Sequence, residues 1–332
     1  MNASGTSSLP ARWLVVTAFA AVYLIWGSTY LAIRFAIETL PPFGMAAVRF
    51  LVAGSVLYAW ARWRGAPRPH GAEWRAAAIV GGLLLLGGNG LVVWAEQTVP
   101  SGIAALIIST VPLFMVALDW LRGNRPPRVV TLGLVIGFVG VAVLIGPSDL
   151  KAGLDDAVPF DLAGVVGLLL ASLFWSIGSL YSKRAPAPRS PLLGIGMQMI
   201  MGGLWLTLVA VLRGETVDLA AVSLRSSAAL GYLIVFGALI GFSSYVWLLK
   251  VVPTAQAATY AYVNPVVAVV LGWWLANEEL TPRTILAALI IVVGVFLITT
   301  ARPKRPEELP RVADQQPPPL VPEDCVCEAS GA

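Results

Sequence analysis

Along this chain, apolar runs of about twenty residues alternate with short connectors rich in Arg, Pro and Gly. A helix needs roughly 20 residues to span about 30 Å of hydrocarbon, so each run has the length of one membrane crossing. Ten spans are predicted: Trp13–Ile33, Pro42–Ala61, Trp74–Ala95, Ser101–Leu121, Val129–Ile145, Leu162–Ser182, Pro191–Leu212, Ala228–Leu249, Thr254–Ala276 and Pro282–Thr300. The runs do not alternate polar with apolar residues, which argues against a membrane β-barrel. The first span is too long for a signal-peptide core, has only Arg12 before it and lacks a small-residue cleavage site after it; it is read as a helix of the protein.

Composition agrees with lipid as the main solvent. Apolar residues make up 58% of the 332 and charged residues 12%, against roughly 45–50% and about 25% in soluble domains. The two cysteines, Cys325 and Cys327, lie in the last stretch, so no disulfide or metal framework is expected. Residues 302–332 are rich in Pro and charge and read as a disordered tail. Four Lys against eighteen Arg suggests a GC-rich bacterial genome.

Basic residues accumulate in cytoplasmic loops. The N-terminus, the even-to-odd connectors, the end of span 8 and the tail hold sixteen of the 22 Lys and Arg, and the alternate set holds five. The asymmetry predicts both termini in the cytoplasm and an even number of spans.

The chain also repeats itself. Val99-Pro100-Ser101-Gly102-Ile103-Ala104-Ala105 matches Val252-Pro253-Thr254-Ala255-Gln256-Ala257-Ala258 at an offset of 153, which also aligns Trp94 with Trp247, Pro112 with Pro265 and Trp120 with Trp273. Near an offset of 150, Trp26 matches Trp175 and Pro41…Gly44 matches Pro191…Gly194. Two units follow, residues 13–146 and 160–301, each of five helices. An odd number inverts the second unit in the membrane, the architecture of secondary transporters whose site lies at the repeat interface.

Particular motifs go further. Ile25-Trp26-Gly27-Ser28-Thr29-Tyr30, Pro41-Pro42, Val48-Arg49-Phe50, Trp94-Ala95-Glu96 and Tyr260-Ala261-Tyr262-Val263-Asn264-Pro265 together resemble the EamA family of the drug/metabolite transporter superfamily, in its bacterial exporter branch. The resemblance runs from about Trp13 to Ala301. It implies an all-α bundle of ten helices in the bacterial inner membrane that exports small metabolites or drugs through a central cavity. Helices 1, 3, 4, 6, 8 and 9 would line that cavity.

Four groups of residues carry the candidate chemistry. Pro112 and Pro265 lie mid-span in matched helices, and each removes a backbone donor and frees a carbonyl one turn earlier, at Ile108 and Ala261. Paired interruptions of this kind point to a transport site, although proline kinks also serve packing alone. Arg49 is the one basic residue well inside a span, and Glu96 ends span 3. Buried charge needs a partner, so an Arg49–Glu96 pair is expected, either for coupling or simply to orient helices. Their counterparts in the second half are roughly Met199 and Leu249, so both charges vanish together. The third group forms an expected cavity wall: Tyr23, Trp26, Ser28, Thr29 and Tyr30, with Asn89, Trp175, Tyr260, Tyr262 and Asn264. Asn89 and Gln198 serve equally well as helix-to-helix hydrogen bonds. Finally, Gly133-x3-Gly137 and Gly237-x3-Gly241 read as packing motifs. Asp119 reads as an interfacial charge, and Glu278 and Glu279 as solvated loop residues.

These features predict a secondary transporter for a small-molecule substrate, in a lipid bilayer, as a monomer or weak homo-oligomer, with no cofactor, metal or nucleic acid. An uncoupled channel or facilitator on the same fold is the alternative. An intramembrane enzyme would need a convergent nucleophile, acid–base pair or metal set. The only histidine, His70, lies in a loop, so a non-enzyme is expected. Pairing with Arg49 would oppose protonation of Glu96, the one plausible proton-coupling carboxylate, which leaves energy coupling open.

Overall fold

The computed structural model describes residues 12–123, 125–145, 161–252 and 260–300. The tail with its cysteines, the connector after residue 145, the first residues expected in span 9 and the side chain of Tyr262 lie outside the described residues.

Among the described residues, ten helical stretches follow in order. They are α1 (Arg12–Ala36), α2 (Pro42–Trp63), α3 (Gly71–Ala95), α4 (Ser101–Leu121), α5 (Arg128–Ile145), α6 (Leu162–Ser182) and α7 (Pro191–Leu212). Next come α8, over residues 224–251, α9 (Tyr260–Ala276) and α10 (Pro282–Thr300). Seven stretches, α1–α4, α6, α7 and Leu224–Tyr245 of α8, are long and apolar enough to cross a membrane, and α5, α9 and α10 are shorter apolar helices. The expected spans are therefore present. Starts are set by local chemistry: Asp161 caps α6 by accepting from Ala163 N (3.0 Å), and Pro42 and Pro191 open α2 and α7. Helix α8 begins four residues before its predicted start because the Ser223 hydroxyl accepts from Ser226 N (3.0 Å).

Packing follows the repeat. Helix α2 lies along α7, α5 along α10 and α4 against α9, so three pairs join equivalent helices of the two halves. Helix α1 packs on α8 and α9, as α6 packs on α3 and α4. Small residues permit these approaches: the backbones of Gly133 and Gly137 on α5 meet Gly294 on α10, which supports the packing role expected for that motif.

Two elements depart from regular helix in parallel. Residues Gly82–Gly90 of α3 and Leu233–Ile240 of α8 are wound as π-helix, and they overlap under the 153-residue offset. Such wide turns collect at functional sites. The matched prolines behave differently. Helix α4 breaks at Ser109–Thr110, just before Pro112, into Ser101–Ile108 and Val111–Leu121. Hydroxyls bond carbonyls on either side of the break: Ser109 donates to Leu106 O (2.6 Å), Thr110 to Ile107 O (2.6 Å), and Ser176 of α6 to Val111 O (3.0 Å). Pro265 sits inside α9 without interrupting it. Of the two expected interruptions, only the first breaks its helix.

Candidate functional site

The π-segments carry the site. The wide turn in α8 leaves the Gly237 carbonyl to accept from the Trp26 indole N–H (3.2 Å). The Trp26 ring is surrounded by Phe242 (5.2 Å between centroids), Tyr245 (5.2 Å) and Tyr260 (5.1 Å). A β-carbon at Gly241 would collide with that indole. The duplicated half repeats the device, for a β-carbon at Gly88, on the π-segment of α3, would lie 2.8 Å from the Trp175 ring. Each half thus lays its first-helix tryptophan on a glycine of the other half's third helix. The Gly237-x3-Gly241 motif accordingly faces the site as well as serving packing.

Of the remaining α1 candidates, Thr29 donates to Trp26 O (2.6 Å), and Ser28 bonds Ile25 O (2.9 Å) and the Tyr232 hydroxyl (2.6 Å). Their hydroxyls are mostly engaged within α1 and its contact with α8. The Tyr23 ring lies tilted beside Phe19 (5.6 Å between centroids). Tyr30 lies near both Glu96 and Tyr260.

Arg49 and Glu96 are buried at 4% and 0% exposure, but the direct pair expected between them is not formed. The Arg49 guanidinium points to Asn89 Oδ1 (3.5 Å) and lies 4.8 Å from the Phe50 ring centroid. Glu96 stands seven residues beyond Asn89, about 10 Å further along the helix, at the α3 C-cap. One guanidinium cannot serve both. Arg34 donates to the Glu96 backbone carbonyl (2.7 Å) rather than to its carboxylate. The charges acting on Glu96 come from Glu278, Arg34 and Arg49. Among the described residues, the buried side-chain atoms without a hydrogen-bond partner are Arg49 Nε, both Glu96 carboxylate oxygens and Asn264 Oδ1. Burying such groups without a partner costs roughly 1–3 kcal/mol each, more for charges. No group of three or more His, Cys, Asp or Glu among the described residues could hold a metal ion.

The sequence pattern of the EamA-like transporter family matches residues 13–146 and, a second time, residues 162–300. The chain belongs to that family. The inner membrane transporter YedA of Escherichia coli (strain K12) is 39% identical over 301 residues, spanning 90% of this chain and 95% of YedA. The transporter YoaV of Bacillus subtilis (strain 168) is 26% identical, over 86% of this chain and 96% of its own length. A WAT1-related chloroplastic protein of Arabidopsis thaliana is 25% identical over 89% of this chain and 71% of its own. A solved crystal structure shares the fold at a TM-score of 0.59 and 21% identity, covering 86% of this chain and 97% of that one. This EamA-family chain is thus a membrane protein with transporters as relatives.

Sequence reasoning missed Phe242 and Tyr245, which complete the Trp26 cage, and Tyr232, which holds Ser28. Phe242 and Tyr245 stand three apart, the spacing of one helix face. That signal was lost among the other aromatics. Glu278, expected to be solvated, instead accepts from Ser101 N (2.7 Å), Ser101 Oγ (2.7 Å) and Gly102 N (2.9 Å).

Proposed function

We propose that the protein is a secondary transporter that exports small metabolites, amino-acid-like solutes or drugs by alternating access between its two halves. The observation that carries this reading is the mirrored pair, Trp26 against Gly241 and Trp175 against Gly88, with buried Arg49 beside Gly237 on the π-segment of α8. A guanidinium beside aromatic walls suits a small amphipathic solute that bears an anionic group. YedA is an inner membrane transporter, which supports the same location here. The distribution of Lys and Arg among the connectors supports both termini lying in the cytoplasm. The transporter acts without a reaction of its own, and as a monomer or weak homo-oligomer.

The test is flux in proteoliposomes against a panel of amino acids, amines and hydrophobic drugs. Arg49→Met and Trp26→Ala are each expected to lower the flux of a transported solute by about tenfold or more, the scale of one lost buried hydrogen bond to a charge. Absence of flux across the whole panel, or flux indifferent to both substitutions, refutes the site. Imposing a pH gradient separates the two modes: a rate unmoved by the gradient selects the uncoupled facilitator.

A further inference from the structure

Two carboxylates outside the central site each bind the first turn of a helix in the opposite half. Glu215, after α7, accepts from Phe43 N (3.2 Å) and Gly44 N (2.8 Å) at the start of α2. Glu278, after α9, accepts from Ser101 and Gly102 at the start of α4. Both helices need outside help. Their N-cap residues are Pro41 and Pro100, which have no side-chain acceptor for the free N–H groups of a first turn. The carboxylates satisfy those donors and complement the positive end of the helix dipole. Both bridges cross from the second half to the first, and both lie at the end of the bundle where α1 meets α2 and α3 meets α4.

The duplication supplies an internal control. The turn after α2 copies the turn after α7: Gly65 and Gly214 both have positive φ (88° and 67°). Gly65 N donates to Arg62 O as Gly214 N does to Val211 O, and Ala66 N to Ala61 O as Glu215 N does to Ala210 O. The backbones agree, yet Ala66 stands where Glu215 does. Beside Ala66 lies a cavity of about 320 Å³ bounded by Trp60, Arg64, Gly65, Ser190 and Leu192, at the first turn of α7. That turn uses its own Ser190, which accepts from Leu193 N at 3.4 Å. Under the 153-residue offset Glu278 corresponds to Arg125, a cation with no lone pair to offer the N–H groups of a first turn.

We propose that Glu215 and Glu278 are a one-sided latch, holding this end of the bundle shut and biasing the protein toward the conformation in which it is closed. The inference rests on the alternating-access reading. If the halves exchange conformations by rocking, the closed state of the opposite end has Ala66 and Arg125 at the mirrored positions, and neither side chain can accept from the N–H groups of a first turn. One closed state has its caps and the other does not.

Pulsed spin-label distances on the full chain in nanodiscs test this. Cys325 and Cys327 are replaced by Ser, with one label pair at Gln97→Cys and Leu219→Cys and, in a separate sample, another at Arg68→Cys and Ala187→Cys. The first pair is expected to give a short distance. In the Glu215→Gln/Glu278→Gln double variant, where an amide N–H faces a backbone N–H, the ratio of long to short distances is expected to rise about tenfold or more. Ala66→Glu is expected to do the opposite, shortening the Arg68–Ala187 distance. Should the double variant fail to fold, Ala66→Glu decides alone, since it fills an existing cavity. Unchanged distributions overturn the latch. Unchanged distances in a protein that still moves solute in proteoliposomes overturn the latch only. Shifted distances in a protein that moves none uphold it and refute the transport reading.

Discussion

The two ends of the bundle are built from duplicated parts and are held in different ways. At the end where α1 meets α2, Glu215 and Glu278 cap helices of the opposite half, and Ser226 donates to Phe35 O (2.8 Å). There Arg225 pairs with Glu38 at 3.1 Å while lying over the Phe35 ring, and Thr98 donates to Asp161. At the other end the connectors carry Arg62, Arg64, Arg68, Lys183, Arg184 and Arg189, and Ala66 offers no carboxylate to the first turn of α7. The turns have the same backbone and differ in a few side chains. Duplication copied the turn, and substitution then made the two ends inequivalent.

The contrast can be broken most forcefully by charge reversal. Glu278→Lys puts a cation among the N–H groups of Ser101 and Gly102 and is expected to cost roughly 2–4 kcal/mol, because buried donors lose their acceptor. Its mirror, Arg125→Glu, alters an exposed residue and is expected to fall within about 0.5 kcal/mol. Thermal unfolding in detergent compares them, and equal losses would remove the distinction between the ends. Next in size are Gly241→Ala and Gly88→Ala, each pressing a methyl into a tryptophan, with an expected cost of about 1–3 kcal/mol. Adding Trp26→Leu to Gly241→Ala should recover part of that loss; strict additivity would mean that the contact is not the cause. The smallest effect belongs to Glu38→Gln. Its pair with Arg225 is 39% and 53% exposed, so a change below about 1 kcal/mol is expected, fading as salt is raised.

The scaffold was legible because each crossing leaves a mark of its own, an apolar run as long as a bilayer is thick. The repeat was legible through rare residues in fixed order, and Trp26 and Trp175 do occupy mirrored places. What escaped depends on residues far apart in sequence. Glu278 looked solvated because a carboxylate that caps a helix 177 positions away has no local signature. Arg49 and Glu96 looked like partners because both are buried charges, yet Asn89 lies closer to the guanidinium along α3. Pro112 and Pro265 are indistinguishable as residue types. Only around Pro112 do the described residues include hydroxyls, at Ser109, Thr110 and Ser176, that take up carbonyls around a break.

The paired π-segments bear on ancestry. A turn closed at i+5 holds one residue more than a turn closed at i+4, so each segment is the trace of an extra residue accommodated without breaking its helix. Segments at Gly82–Gly90 and Leu233–Ile240 overlap when one half is laid on the other. Both halves thus carry the wide turn at the same place, at or next to the glycine on which the other half's tryptophan rests. The widened turn therefore belongs to the repeated unit rather than to either half alone.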